Sequence, residues 1–346
     1  MTQTMRRALM TAMGAPLELG CDAIPAPERG EILIRVLACG VCHSDVHIVD
    51  GDWGRPARLP LIPGHEVVGE VVALGEGVTV PAIGETVGVA WNGGACGHCR
   101  ACLEGEETIC PEREGTGYSR DGGYADHIVA RADFVVTLPK GIDAARFSPI
   151  LCAGVTTYRG LKKAAVRPGG YVAVIGCGGL GQMAVQYARA MGLRPIAVDL
   201  DPAKLELATR LGAVATVGSD EELPAALQAI AGENGIRAAV IVAPVAKAFE
   251  QGIAAVAPGG AVIFIALPSE QKDRISISIS DLANNEKRLI GTNVGTRADL
   301  REAVDLALTA GILANVETLP LADAGIALDR LRRGGVTGRL VLTMKG

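Results

Sequence analysis

No apolar run in this chain is long. The two longest, residues 238–243 and 261–267, fall well short of the roughly 20 residues that a membrane-spanning helix needs. Positive charge is not in excess either. The net charge is −5 with a pI of about 5.7, and no basic stripe stands out, which argues against nucleic acid as a partner. Arg6 and Arg7 precede only a short apolar stretch broken by Thr11 and Gly14, so no signal peptide is expected. Cysteines are present but unsuited to a disulfide framework: there are nine, an odd number, and four crowd between positions 96 and 110. That pattern predicts thiolates held by metal in a reducing, cytoplasmic compartment. Aromatics make up 3% of the chain, and only two are tryptophan, which singles out Trp53 and Trp91.

What remains is a glycine-rich chain of 346 residues, 49% hydrophobic and 21% charged with 45 Gly. Its length predicts about two domains, and its composition predicts a turn-rich α/β protein. The first 150 residues read as short β-branched strands near 32–37, 66–72 and 86–90. Gly75, Gly77, Pro81 and Gly84 punctuate the turns between them. A twisted antiparallel barrel is expected there.

Beyond Cys152 the pattern changes to alternating strands and helices. Tyr171-Val172-Ala173-Val174-Ile175 reads as a buried strand, followed by Gly176-Cys177-Gly178-Gly179-Leu180-Gly181 and an Ala-rich amphipathic helix. A second strand ends at Asp199, 18 residues past the last motif glycine. A GxGxxG between strand and helix, with an acid closing the next strand, is a dinucleotide-binding signature. Its glycines admit a pyrophosphate at the helix N-terminus. Asp199 would bond the adenosine ribose hydroxyls and repel a 2′-phosphate, so NAD is favoured over NADP. Further helices near 202–211, 222–231 and 246–257 and strands near 213–217, 238–242 and 261–266 complete a doubly wound parallel sheet. Residues 275–279 alternate Ile and Ser, and a further strand is expected at Leu289-Ile290. With 261–266, the 275–279 run is expected to offer an edge that a two-fold partner could extend. A helix over 298–310 and a last strand, Arg339-Leu340-Val341-Leu342, return the chain to the first domain.

Two groups of residues point to metal. Cys96, Cys99, Cys102 and Cys110 can close a tetrahedron around one zinc with no open position, although an iron–sulfur cluster also uses four cysteines. Val41-Cys42-His43-Ser44-Asp45-Val46-His47 packs a thiol, a hydroxyl, a carboxylate and two imidazoles into seven residues. With His65 and Cys152, Cys42 would make a Cys₂His set, one of the known catalytic zinc sets with an open fourth position. His98 reads as a solvated loop residue, Cys39 and Cys177 as packing residues, and His127 as a residue satisfied by a local hydrogen bond.

These residues together carry a resemblance. Gly40-Val41-Cys42-His43-Ser44-Asp45, Gly64-His65-Glu66, the four-cysteine loop, Leu151-Cys152-Ala153-Gly154-Val155-Thr156-Thr157-Tyr158, the glycine loop and Val294-Gly295-Thr296-Arg297 follow one another in order. The chain resembles the zinc-dependent alcohol dehydrogenases of the medium-chain dehydrogenase/reductase superfamily, especially the bacterial and yeast-like tetrameric branch. The resemblance implies a discontinuous GroES-like β-barrel catalytic domain over 1–153 and 297–346, and a Rossmann NAD-binding domain over 154–296. It implies Cys42, His65 and Cys152 as catalytic zinc ligands and the four-cysteine loop as a structural zinc site. Glu66 would approach the catalytic metal during ligand exchange, and Asp45 would take the other N–H of His65. His43 and Arg339 would sit beside the pyrophosphate. Thr156, Leu180 and Val294 would border the nicotinamide, Lys204 would neighbour the ribose, and Ile265 and Leu267 would line the cofactor's path.

The implied activity is reversible hydride transfer between alcohols and aldehydes or ketones. Ser44 would take the alcohol proton and pass it through the nicotinamide ribose hydroxyl to His47 near solvent. Trp53 and Trp91 would narrow the pocket toward short primary alcohols, and a homotetramer is implied. A polyol or other secondary-alcohol dehydrogenase of the superfamily is the nearest alternative, but it commonly has a carboxylate where Cys152 stands. Zinc-free quinone reductases lack these ligands. A non-catalytic zinc- and nucleotide-binding relative would leave Ser44 and His47 without a purpose.

Overall fold

The computed structural model describes residues 3–53, 57–219, 222–268 and 273–344. The chain divides into two compact units. One comprises Met1–Cys152, Gly295–Val304 and Leu313–Gly346, and the other comprises Ala153–Val294 and Asp305–Ile312.

In the first unit the β-branched runs pair antiparallel. A seven-stranded sheet runs in the order Val316–Pro320, Arg339–Thr343, Glu31–Val41, Glu66–Leu74, Thr86–Val89 and Val135–Leu138, with His127–Arg131 also on Glu31–Val41. The pair Val316–Pro320 and Arg339–Thr343 is the parallel exception. The strand Glu31–Val41 is the hub. Its residues Ile32, Ile34 and Val36 enter the core with Val67, Val71, Val87, Ile128, Leu340 and Leu342. Its C-terminal end pairs Gly40 with Glu66, and thereby sets Cys42 and His65 on adjacent strand ends.

The second unit is a six-stranded parallel sheet ordered Ala215–Gly218, Arg194–Asp199, Tyr171–Ile175, Ile236–Ile241, Val256–Phe264 and Arg288–Gly291. Numbered within the unit, that order is 3-2-1-4-5-6, the doubly wound arrangement of dinucleotide-binding folds. Tyr171–Ile175 is buried at every position, as a strand covered on both faces must be. Among the described residues, no helix is long and apolar enough to cross a membrane.

One expected strand is not there. Residues 275–278 have no regular structure, and Ile279 opens the helix Ile279–Asn284. The Ser278 hydroxyl accepts from Asp281 N at 3.2 Å, an N-cap that commits the chain to a helix despite the alternating pattern. The edge expected at 261–266 is also corrected. Val256–Phe264 lies inside the sheet, and the outer strand is Arg288–Gly291.

Candidate active site and metal centres

Cys42 is both a candidate ligand and the cap of a helix. It is extended at φ −116° and ψ 155°, and its Sγ accepts from Ser44 N at 3.5 Å at the start of helix His43–Asp50. Asp45 closes the capping box by accepting from Cys42 N at 2.9 Å. A thiolate is favoured at a helix N-terminus.

The fold gathers the distant partners. One donor atom each from Cys42, His65, Glu66 and Cys152 lies within 4.8 Å of the others, and all four residues are buried. His65 Nε2 is 3.3 Å from Cys152 Sγ. Hydrogen bonding from Cys152 holds the Cys42 thiol well below its ordinary range against the effect of burial, with His65 helping. Cys152 is correspondingly pushed well above its own range. Burial pulls His65 down, but Asp45 and Cys42 together raise it well above the ordinary imidazole value.

Glu66 lies fully buried beside this set. Burial pushes its carboxyl up to about 7, against the opposing pull of Arg339. Oε1 accepts from the buried Arg339 guanidinium, while Oε2 has no hydrogen-bond partner among the described residues. A Cβ on Gly40 would collide with Oε2, so glycine is required at that close approach. Two sulfurs, an imidazole and a carboxylate, all buried and converging, fit a zinc ion.

Asp45 is held from three sides. Its Oδ1 meets His65 Nδ1 at 3.0 Å, and Oδ2 accepts from Cys42 N and from the Tyr124 hydroxyl at 3.0 Å. The carboxylate therefore fixes the imidazole tautomer that leaves Nε2 facing the cysteines. Tyr124 is fully buried and is a site residue that sequence reasoning missed.

The four-cysteine loop also converges. One donor atom from each of Cys96, Cys99, Cys102 and Cys110 lies within 4.8 Å of the others. Cys96 Sγ stands 3.6 Å from Cys110 Sγ and 3.9 Å from Cys102 Sγ, and none of the nine cysteines is in a disulfide. The backbone N–H groups of His98 and Cys99 hold the Cys96 thiol down to about 6. Four sulfurs gathered without bonding one another fit a structural zinc. His98 is exposed, with Nδ1 on Cys96 O at 3.0 Å. His127, expected to be satisfied locally, instead leaves Nδ1 buried without a partner among the described residues.

In the second unit the three motif glycines differ in what a side chain would meet. Gly176 takes φ 100°, and a Cβ there would stand 2.8 Å from Ala243 N. At Gly181 it would strike the Gly176 carbonyl. At Gly178 it would meet nothing within 4 Å. The first serves the turn and the third the packing of helix Gly179–Ala190, while the second leaves open space where a pyrophosphate fits. Leu180 and Gly179 open that helix. Asp199 is anchored at the strand end, accepting from Cys177 N at 2.6 Å and Asp201 N at 2.9 Å. Lys204 lies on the following helix, 4.0 Å from Asp201. Thr156 is buried in helix Ala153–Ala164, Ile265 is buried just past its strand, and Leu267 is exposed. Val294 adopts φ 45°, a left-handed conformation that a β-branched residue rarely tolerates outside a constrained site.

Beside the first unit's ligand set lies an aromatic group. Trp91 stands edge-on to His65 at 5.0 Å and to Trp53 at 5.8 Å. Tyr118 stacks on Trp91 at 5.8 Å and meets Trp53 edge-on at 6.2 Å. The tryptophans stand out in the sequence as the chain's only two, whereas Tyr118 is one of five tyrosines and carries no such mark. His43 begins the capped helix and is exposed; Arg339 is on Glu66, as described.

Comparison with known proteins gives the same placement. Residues 28–140 match the family model described as alcohol dehydrogenase GroES-like domain, and residues 179–309 match zinc-binding dehydrogenase. The chain is 44% identical over 338 residues to an alcohol dehydrogenase of Geobacillus stearothermophilus, covering 98% of this chain and 99% of that one. It is 42% identical to one of Moraxella sp. (strain TAE123), covering 98% and 99%. The solved alcohol dehydrogenase of the archaeon Aeropyrum pernix superposes with a TM-score of 0.88 at 31% identity, covering 98% and 99% of the two chains. The chain belongs to the zinc-binding alcohol dehydrogenase family.

Proposed function

We infer that the protein is an NAD-dependent zinc alcohol dehydrogenase that interconverts alcohols with aldehydes or ketones. The observation that carries this is the buried convergence of Cys42, His65, Cys152 and Glu66 beside the helix that bears Ser44 and His47. Cys42, His65 and Cys152 would hold a catalytic zinc, with Glu66 able to approach it, and the four cysteines would hold a second, structural zinc. Zinc bound there would supply Lewis-acid polarisation of the alcohol oxygen, the effect that lowers the pKa of bound water from 15.7 to about 7.

The chain's own residues do the rest. Asp45, steadied by Tyr124, orients His65. Ser44 accepts the alcohol proton, and His47 receives it in turn and releases it to solvent. Gly178 admits the pyrophosphate, with His43 and Arg339 as further candidate contacts. Asp199 and Lys204 receive the adenosine ribose, and Thr156, Leu180, Val294, Ile265 and Leu267 line the remainder of the cofactor's course.

Short primary alcohols are the proposed substrates, because two indoles and the Tyr118 ring crowd the space beside His65. A cytoplasmic homotetramer is the proposed state. The outer strand Arg288–Gly291 and the exposed Ile277 and Ile279 support a two-fold extension of the parallel sheet.

Following NADH absorbance with NAD and a panel of small alcohols tests the activity. Turnover of ethanol and its short homologues is expected. A zinc-loaded protein inert to primary, secondary and polyhydric alcohols alike overturns the reading.

A further inference from the structure

Two consecutive residues grip one imidazole. His47 lies in the last turn of helix His43–Asp50, and Gly51, left-handed at φ 74°, ends that helix and turns the chain back. The turn brings Asp52 to the ring edge, with Oδ1 and Oδ2 at 2.9 and 3.0 Å from His47 Nδ1. Trp53 then covers a ring face, stacked at 5.4 Å with an interplanar angle of 24°. The Asp52 side chain is 42% exposed, so this pair contributes little to stability. Edge and face held together point instead to orientation of the ring.

We propose that Asp52 is a positioning residue of the proton relay: its carboxylate holds His47 as the Nδ1–H tautomer, which leaves Nε2 to accept the proton. The proposal rests on the reading of Ser44 and His47 as that relay. A neutral imidazole offers one donor and one acceptor nitrogen, and an ionised carboxylate only accepts. Nδ1 must therefore carry the hydrogen while it bonds Asp52.

In alcohol oxidation the hydride would pass to the nicotinamide as the carbonyl forms, and the hydroxyl proton would travel by way of Ser44 to His47 Nε2. The ring then holds two N–H groups and one positive charge until Nε2 gives its proton to water. Other charges surround this helix. His43 lies on its first turn, and Asp50 is paired with Arg332 at 2.6 Å. The helix Ala324–Arg333, packed against it, also carries Asp329, Arg330 and Arg333. Among the described residues, Asp52 is the group bonded to the ring.

The test uses full-length, zinc-loaded enzyme with NAD, labelled with ¹⁵N-histidine, and assigns the His47 signal by its loss in His47→Gln. The parent should show Nδ1–H, and Asp52→Ala should shift His47 toward Nε2–H. Near neutral pH, Asp52→Ala should slow alcohol oxidation about tenfold, a part of the ~10²–10⁴ that a positioned acid–base group supplies. Added imidazole should restore the rate. Asp52→Asn, which keeps the side-chain size, should slow it similarly. In a His47→Gln background, removing Asp52 should make no further difference.

An Nε2–H parent overturns the proposal, as does a loss that is equal in both backgrounds or is not restored by imidazole. A slow His47→Gln beside a fast Asp52→Ala overturns the role of Asp52 alone. A His47→Gln enzyme as fast as the parent overturns the relay reading and this proposal with it.

Discussion

The Tyr124 hydroxyl donates to Asp45 Oδ2 at 3.0 Å, while Oδ1 of the same carboxylate meets His65 Nδ1 at 3.0 Å. A residue 79 positions away in sequence thus steadies the group that orients a candidate ligand. Tyr124→Phe removes that hydroxyl with little change in packing. It should weaken zinc retention against a chelator by about 10–100-fold, the usual cost of losing a partner behind a ligand. Retention equal to the parent's would assign Tyr124 to packing alone.

Zinc content separates the two cysteine sites. The parent should carry two equivalents per chain. Cys42→Ala should lose one equivalent and all measurable turnover while keeping its melting temperature within a few degrees. Cys99→Ala should lose the other equivalent and melt roughly 10 °C lower, since several kcal/mol are lost at about 2–4 °C each. Elemental analysis with thermal unfolding checks both. A Cys99→Ala protein as stable as the parent sinks the structural assignment.

Asp199 is held at the strand end by the Cys177 and Asp201 backbone N–H groups. Asp199→Ala should raise KM for NAD about tenfold, equivalent to ~1.4 kcal/mol, and permit measurable use of NADP. Kinetics with both cofactors decide the matter. A parent that prefers NADP contradicts the assignment outright.

Trp53, Trp91 and Tyr118 form one aromatic group against His65. Trp53→Ala, Trp91→Ala or Tyr118→Ala should raise kcat/KM for branched alcohols relative to ethanol by roughly tenfold or more. Removing bulk outweighs the ~1–3 kcal/mol that each methylene adds in an apolar pocket. An unchanged ranking across a chain-length series in all three variants would make these rings packing residues.

Residues that act within one turn or one motif were legible in the sequence. Cys42 through His47, the four cysteines and the glycine loop lie close together in the chain, and their spacing states their chemistry. The alternation after Tyr171 likewise announced a parallel sheet, which the strand order of the second unit realises. What periodicity cannot report is register. Gly40 faces Glu66 because two strands pair at that position, and only then does the missing side chain matter. A glycine inside a strand was the available signal. Tyr124 and Tyr118 come from loops whose approach depends on the finished barrel, so no local pattern marked them. At 275–279 a period-two pattern competed with a serine cap, and the cap prevailed.

The cap on helix His43–Asp50 also constrains how this protein could change. Because Cys42 caps the helix, Ser44, Asp45 and His47 are set at fixed rotations from that candidate ligand, about 100° per residue. An inserted or deleted residue would swing every later side chain away from its partner. A length change around Tyr118 would leave that spacing intact while altering the aromatic group. In lineages derived from this fold, new substrate ranges should accompany changed loop lengths there, while the spacing from Cys42 to His47 stays constant.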